Sequence, residues 1–477
     1  MRLAGIISAM SESNLTDDIE RQQKYLDELK KYRPQLFEKP MSDPSRVARK
    51  IGINQTEEMP RGYIRLFATD FIVEEVRSSR EVVSLDPGEL IGETLDSEGQ
   101  TYYCDLVKVN TTTHDAITQL AQGLNLPVTA FGYAGIKDKT ALTSQKISIR
   151  KTTADDLEKV NLPNLLLKNC RLGKGAIANG DLVGNRFTIM VRAEKPVDEA
   201  QINSQIDLIK SRGVLNYYGL QRFGPPRILS SALGEYILRR QYEKTIKTFL
   251  VSTSDFELPA YTQIREDAKS VYGQWQKMLE LFEKLPFTFR HEIAILRHLN
   301  SKNNDFLGAL RATGDQPKMW VYAYNSYLFN LLLSSLNQLG DKLPEDLPAA
   351  VSKTAIEQNV YAKLDLQIPP GNDYELRLLG ISENTSKTPT RIYPEFTVPA
   401  KLTAEGLILS FILPKGAYAT TMLSNLFTIY EAHPIPEWVK KTEYDLKKEL
   451  GQGDLTGIKA RLTFGQSDHG FRSPPHP

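Results

Sequence analysis

The residue pattern predicts an α+β protein built on a mixed or antiparallel sheet that carries helices on one side. Three observations lead there. Strand-length apolar runs and amphipathic helical runs alternate between about residues 62 and 213, without the regular rhythm of βαβ units. From about 230 to 340 the pattern turns almost wholly helical. At 477 residues, 41% hydrophobic and 25% charged, the chain has the make-up of a globular protein and is too long for one ordinary domain.

Taken in order, residues 15–40 place Leu15, Ile19, Tyr25, Leu26, Leu29 and Tyr32 at roughly helical spacing, and Pro34 ends the run. A polar linker is expected around Met41 to Gln55. Gly62–Phe67, Phe71–Val76 and Tyr102–Val109 read as strands. Any of the three threonines at 111–113 can cap the next helix, whose apolar face is Ala116, Ile117, Leu120, Ala121 and Leu124. Phe131–Ile136 suits a buried strand, and Lys146–Arg150 alternates as a half-exposed one. Leu165–Leu167 and Phe187–Val191 follow as strands. Ile202, Ile206, Leu208 and Ile209 mark a helix closed by Gly213. Tyr236 to Leu250, Trp275 to Phe282 and residues 319–337 each read as one helix, Tyr374–Leu378 as a short strand and Leu407–Leu413 as another. After Trp438 a charged helix and a Gly/Ser/Pro-rich, disordered end are expected.

Composition removes several function classes. No stretch approaches eighteen consecutive apolar residues, and acidic residues follow the weakly apolar start, so neither a membrane span nor a secretory signal is expected. Two cysteines, Cys104 and Cys170, cannot make a disulfide framework or a zinc site in such a chain, which points to a reducing, cytoplasmic compartment. The six histidines are scattered, and His291 and His298 lack the i,i+4 spacing of a zinc pair. Gly173 to Gly184 is glycine-rich but matches no phosphate loop. Net charge is only +1, yet residues 131–230 hold sixteen Lys/Arg against nine Asp/Glu. Such a segment suits a phosphate-rich partner.

The most informative stretch is Gly135-Ile-Lys-Asp-Lys-Thr-Ala-Leu-Thr-Ser-Gln145. It delivers Asp138 into a loop between Lys137 and Lys139. A carboxylate so placed suits a nucleophile, an anchor for a cation or one half of a surface ion pair. The eleven residues together resemble the Gly-x-Lys-Asp-x-x-Ala-x-Thr-x-Gln signature of the TruD family of RNA pseudouridine synthases. Asn216-Tyr217-Tyr218-Gly219-Leu220-Gln221-Arg222-Phe223-Gly224 resembles that family's second hallmark, in the right order and about eighty residues on. Shorter likenesses lie at Gly184–Ile189, at Tyr324–Asn330, read as helix core, and at Leu413–Thr420. The resemblance extends from about Gly62 to Phe427.

What the resemblance implies is concrete. The fold would be a pseudouridine synthase catalytic domain with a mixed or antiparallel sheet, plus an inserted, mainly helical α+β TRUD domain. The catalytic domain would comprise 61–213 and 393–440, the insertion 214–392. Residues 1–60 would be a helical extension and linker, and 441–477 a charged helix and disordered tail. The activity would be cofactor-independent isomerisation of uridine in tRNA, with position 13 the implied target. The spelling around both motifs looks like the archaeal and eukaryotic branch, where other structured RNAs can serve. No membrane and no obligate protein partner is implied.

Pseudouridine formation breaks the N-glycosidic bond, turns the uracil and rejoins it through C5, and covalent capture divides that hard displacement into easier steps. The resemblance gives the nucleophile's role to Asp138 and leaves attack at the sugar carbon and at the base both open. A carboxylate working in a partly dehydrated site calls for a fixed cation beside it. Lys137, Arg65 and Lys415 are the candidates; Arg65 stands where family members commonly have lysine, which changes the hydrogen-bond geometry. A flipped base needs an aromatic face, a role that suits Tyr218, and an edge partner, which Asn216 can supply. Gln221, Arg222 and Phe223 would brace that loop or meet backbone phosphate. Two rivals stand beside this reading. A catalytically silent RNA-binding protein or RNA chaperone of the same fold would suit a chain lacking Asp138. A metal-dependent hydrolase would need further carboxylates or histidines tied to the motif.

Overall fold

The computed structural model describes residues 12–38, 43–54, 59–352 and 357–464 apart from short gaps at 87, 97, 341, 365–373, 383–385 and 433, together with residue 355. Two compact units emerge: one joins Glu58–Asn216 to Ile392–His469, the other gathers Tyr217–Arg391 with the chain before residue 58.

The first unit is organised by an eleven-stranded sheet. Its strands are β1 (Arg61–Tyr63), β2 (Phe71–Val76), β3 (Thr101–Val109), β4 (Phe131–Tyr133), β5 (Leu142–Arg150), β6 (Leu165–Gly173), β7 (Gly184–Ala193), β8 (Glu395–Phe396), β9 (Lys401–Thr403), β10 (Gly406–Pro414) and β11 (Thr428–Tyr430). The main path runs β8-β10-β7-β2-β5-β3-β6. Most neighbours are antiparallel. The parallel exceptions, β2 with β5 and β1 with β11, make the sheet mixed.

Strand alternation sends Phe71, Val73, Phe187, Ile189, Leu407 and Leu409 to one face, where Ile202, Ile206 and Ile209 of the helix Glu199–Arg212 cover them. Gly213 ends that helix at φ 67°, a conformation that favours glycine. Farther along the same face, Leu106, Ile147 and Ile149 pack on Ala116, Ile117 and Leu120 of the helix Thr113–Gly123, capped by Thr112. Ile72, Val107, Leu142, Met190 and Ile408 point the other way and meet Leu446, Leu455, Ile458 and Leu462.

Three expectations are corrected here. The sheet is covered on both faces, not on one. β5 is buried from Leu142 to Ile149 and is not half-exposed, because Lys146 pairs with Asp105 and Ser148 accepts from the Ile177 amide at 3.0 Å. The segment after Trp438 holds two short helices, Leu446–Glu449 and Thr456–Lys459, in place of one charged helix, because its few leucines and isoleucines are spent on the core. Residues 465–477, expected to be disordered, lie outside the described residues. Buried charges secure the cover: Arg192 meets Asp70 at 3.0 Å, pairs with Glu405, and donates to the carbonyls of Lys440 (3.0 Å) and Thr442 (2.9 Å). Lys447 reaches Glu74 at 2.7 Å, and Arg186 shares that carboxylate.

The second unit is mainly helical, with Gln316–Gln338 its longest helix. Tyr236 to Leu250 is two helices, Ser230–Leu238 and Tyr242–Val251, because Arg240 between them adopts φ 57°. Tyr374–Leu378 is helical, in keeping with the helix propensity of its Glu, Arg and leucines. The supposed linker at 41–55 contains a helix, Pro44–Lys50, followed by buried Ile51 in a cluster with Phe223, Ile228 and Phe256. The strand expected at Gly62–Phe67 shrinks to Arg61–Tyr63, since Arg65 turns to φ 63°.

Cys104 and Cys170, on neighbouring β3 and β6, are joined as a disulfide. The cysteines therefore give no ground for expecting a reducing compartment. No described helix is long and apolar enough to cross a membrane.

Candidate active site

Topology brings four separate segments to one end of the sheet. Because β2 and β5 run parallel, with Ile72 opposite Leu142, the loops that lead into them arrive together. Arg65 lies in the first loop and Asp138 in the second. β3 is antiparallel to β5 with Val109 opposite Leu142, so Lys108 reaches the same end from below. Parallel pairing of β1 with β11 sets Tyr63 beside Tyr430, and Glu431 follows at once.

The loop carrying Asp138 is pinned by the residues that make up its motif. Gln145, buried in β5, donates from Nε2 to the Gly135 carbonyl (3.1 Å) and accepts from the Thr113 hydroxyl (3.0 Å). Thr113 in turn accepts from the Lys137 amide at 2.9 Å. Gly132 allows β4 to approach: a Cβ there would lie 2.6 Å from the Ile177 carbonyl oxygen and from Ser148 Oγ. The motif is thus largely scaffold, and it holds one carboxylate, 24% exposed, at the rim.

Arg65 supplies the counterion. Its Nη2 lies 2.9 Å from Asp138 Oδ1, its Nη1 pairs with Glu431, and its guanidinium carbon sits 3.9 Å from the Phe71 ring centroid. The side chain is only 8% exposed, so water screens this pair weakly. A left-handed backbone at a residue that is not glycine costs roughly 1 kcal/mol, a cost concentrated here at the charged pair.

Lys108 lies beneath the loop that carries Asp138, fully buried. Its Nζ donates to the carbonyls of Asp138 and Thr111, both at 2.8 Å. Burial lowers its pKa to about 7, while the nearby Asp138 carboxylate pulls the other way.

The other candidates are placed differently. Lys137 is buried 2.7 Å from Glu75, so it does not face phosphate; the strand before it ends at Tyr133, and the buried Glu75 carboxylate draws its amine inward. Lys415 is exposed and donates to the Gly180 carbonyl at 3.0 Å. Asn216 is buried in the first unit. Tyr218 belongs to the second unit, where Asn330 grips its backbone, accepting from its amide (2.9 Å) and donating to its carbonyl (3.0 Å). Its ring meets Phe329 edge-on and its hydroxyl bonds Thr388 at 2.8 Å. Tyr218 and Arg222 line a cavity of about 250 Å³ with Asn325, Phe329, Tyr361 and Thr388. Gln221 is exposed; Phe223 is wholly buried and unavailable to a ligand. The basic window is also less free than it reads. Lys137, Lys146, Arg186, Arg192 and Arg227 all meet acids from outside it, which absorbs most of its excess of seven.

A family model described as tRNA pseudouridine synthase D (TruD) matches residues 53–364. The chain belongs to the TruD family. It is 30% identical over 341 residues to a Methanopyrus kandleri protein named probable tRNA pseudouridine synthase D, covering 67% of this chain and 84% of that one. A Methanocaldococcus jannaschii protein named probable tRNA pseudouridine synthase D 1 is 28% identical over 394 residues, covering 77% and 96%. The crystal structure of a TruD from Methanosarcina mazei superposes with a TM-score of 0.62 at 25% identity, over 81% of this chain and 98% of that one. The TruD fold expected from the two motifs is therefore the fold of this chain.

Sequence reasoning passed over Glu431 and Lys108 as parts of this TruD site, and gave Gln145 no role beyond its place in the motif. Lys108 did carry a signal, as the one charge in the otherwise apolar run Leu106–Val109. Glu431 carried none, because only strand pairing brings it to Arg65.

Proposed function

We propose that this chain isomerises uridine to pseudouridine in tRNA, with Asp138 as the nucleophile and uridine at position 13 as its target. The observation that carries the proposal is the carboxylate itself: it stands at the rim of a rigid loop, partly open, with a buried arginine 2.9 Å away. Family membership supports the reaction class, and the relatives' names support tRNA as substrate. The cytoplasm is the compartment this reading implies.

In the reaction, an Asp138 oxygen bonds to the extruded nucleotide, either at the sugar carbon as N1 departs or at the base. With the N-glycosidic bond broken, uracil turns while held in the site, C5 bonds to the sugar carbon, the bond to Asp138 breaks, the C5 hydrogen leaves as a proton and N1 takes a proton up. Attack uses up carboxylate charge, so Arg65 must keep its place while that charge changes, and Glu431 on its far side holds it there. Asn216, in the same unit as Asp138, offers an amide to the edge of the base.

The test is tritium release from tRNA labelled at uridine C5, with EDTA present. The native chain releases tritium; Asp138→Ala releases none and still binds tRNA. Release that survives in Asp138→Ala overturns the mechanism, and no release from the native chain overturns the function.

A further inference from the structure

We propose that Lys108 is a positioning residue for the reaction: its amine ties the backbone carbonyl of Asp138 to that of Thr111 and so fixes where the nucleophile's carboxylate points. The inference rests on Asp138 being the nucleophile.

A fully buried lysine is costly, and packing alone does not call for one here. Leu106 and Cys104 precede it on the same face of β3, in an apolar cluster that a leucine or methionine would extend. What an amine adds is donors. Two carbonyls stand 2.8 Å from Nζ, one of them belonging to the nucleophile. A neutral amine has two N–H groups and an ammonium three, so both bonds hold in either state; a group brought down to about 7 by burial needs that latitude.

The far end of the tether is rigid. Thr111 immediately precedes Thr112, whose hydroxyl accepts from the Asp115 amide at 3.0 Å and caps the helix Thr113–Gly123. From that same helix, Thr113 takes the Lys137 amide, one residue before the nucleophile. The backbone is thus held at the Lys137 N–H and again at the Asp138 C=O, on either side of the Asp138 Cα. With the backbone held at both points, Arg65 takes one carboxylate oxygen at 2.9 Å. Misplacement of a reacting group by about 1 Å can cost on the order of 100-fold in rate, so the second anchor acts on turnover and leaves RNA binding alone.

The experiment compares native protein with Lys108→Met and Lys108→Arg on C5-tritiated tRNA. Rates are normalised to the stoichiometry of bound tRNA, so that misfolded protein is not counted. For Lys108→Met, kcat is expected to fall about 10- to 100-fold with KM unchanged. Amide hydrogen exchange should quicken across 134–141 while β3 and β5 stay protected. Lys108→Arg, which keeps donors, should recover part of the loss. If Lys108→Met does not fold, Lys108→Gln, shorter and polar, is held to the same split. Turnover within two-fold of native, a change confined to KM, or exchange rising equally throughout the sheet overturns the proposal. Native protein that releases no tritium refutes the assigned reaction instead, and the two failures are thereby told apart.

Discussion

Replacing Arg65 tests the electrostatics of the site most directly. In Arg65→Ala the carboxylate of Asp138 loses a charge-assisted bond of 2.9 Å, and Glu431 loses its partner in the same stroke. Hydrogen bonds to charged groups contribute about 1.5–3 kcal/mol, which corresponds to roughly 10- to 150-fold in rate if the bond persists into the transition state. Arg65→Lys should fall between. An ammonium can approach Asp138 but lacks the fork that serves two carboxylates at once, and it loses the flat stacking over Phe71 at 3.9 Å. The assay is single-turnover tritium release at saturating tRNA, with binding measured separately. The expected order is native, then Arg65→Lys, then Arg65→Ala, with tRNA affinity changed less than turnover. A folded Arg65→Ala that turns over within two-fold of native would refute the argument, because the counterion would then have no part in the step.

Two further outcomes follow from the buried charges. Arg192→Met strands the carboxylates of Asp70 and Glu405 in the core and should cost about 3–5 kcal/mol in urea unfolding, with 440–464 the first segment cleaved in limited proteolysis. For Lys108, burial lowers the pKa from 10.5 to about 7, so between those values the unfolded chain binds more protons and stability rises with pH. The unfolding free energy of native protein minus that of Lys108→Met should therefore climb by about 1.4 kcal/mol per pH unit between pH 7.5 and 9.5, and a flat difference would contradict the burial.

Much of the first unit was legible because its signals are local. Phe71–Val73 and Leu407–Leu409 open strands with apolar runs, and Thr112 caps a helix whose apolar face the spacing gives directly. The TruD motif was legible for a different reason: Lys137 and Gln145 are each constrained by a specific neighbour, so the loop needs these residue types together. The failures share a physical origin. Whether β5 is half-exposed depends on Asp105 and Ile177, which cover Lys146 and Ser148 from outside any short window. Charge counting failed likewise, since Arg192 and Lys146 meet acids far off in the chain. The choice among Lys137, Arg65 and Lys415 turned on which strands run parallel, and periodicity does not report direction.

The first unit is assembled from two stretches of chain, Glu58–Asn216 and Ile392–His469, and this has a consequence for biosynthesis. As the ribosome releases the polypeptide in order, Ile72, Val107 and Met190 emerge long before Leu446 and Ile458, the side chains that seal them from water. Everything between, including the helical unit, must be translated first. The half-built sheet therefore waits with a greasy flank bare, a natural client for a chaperone, and a transcript truncated before codon 446 would yield a product that never closes.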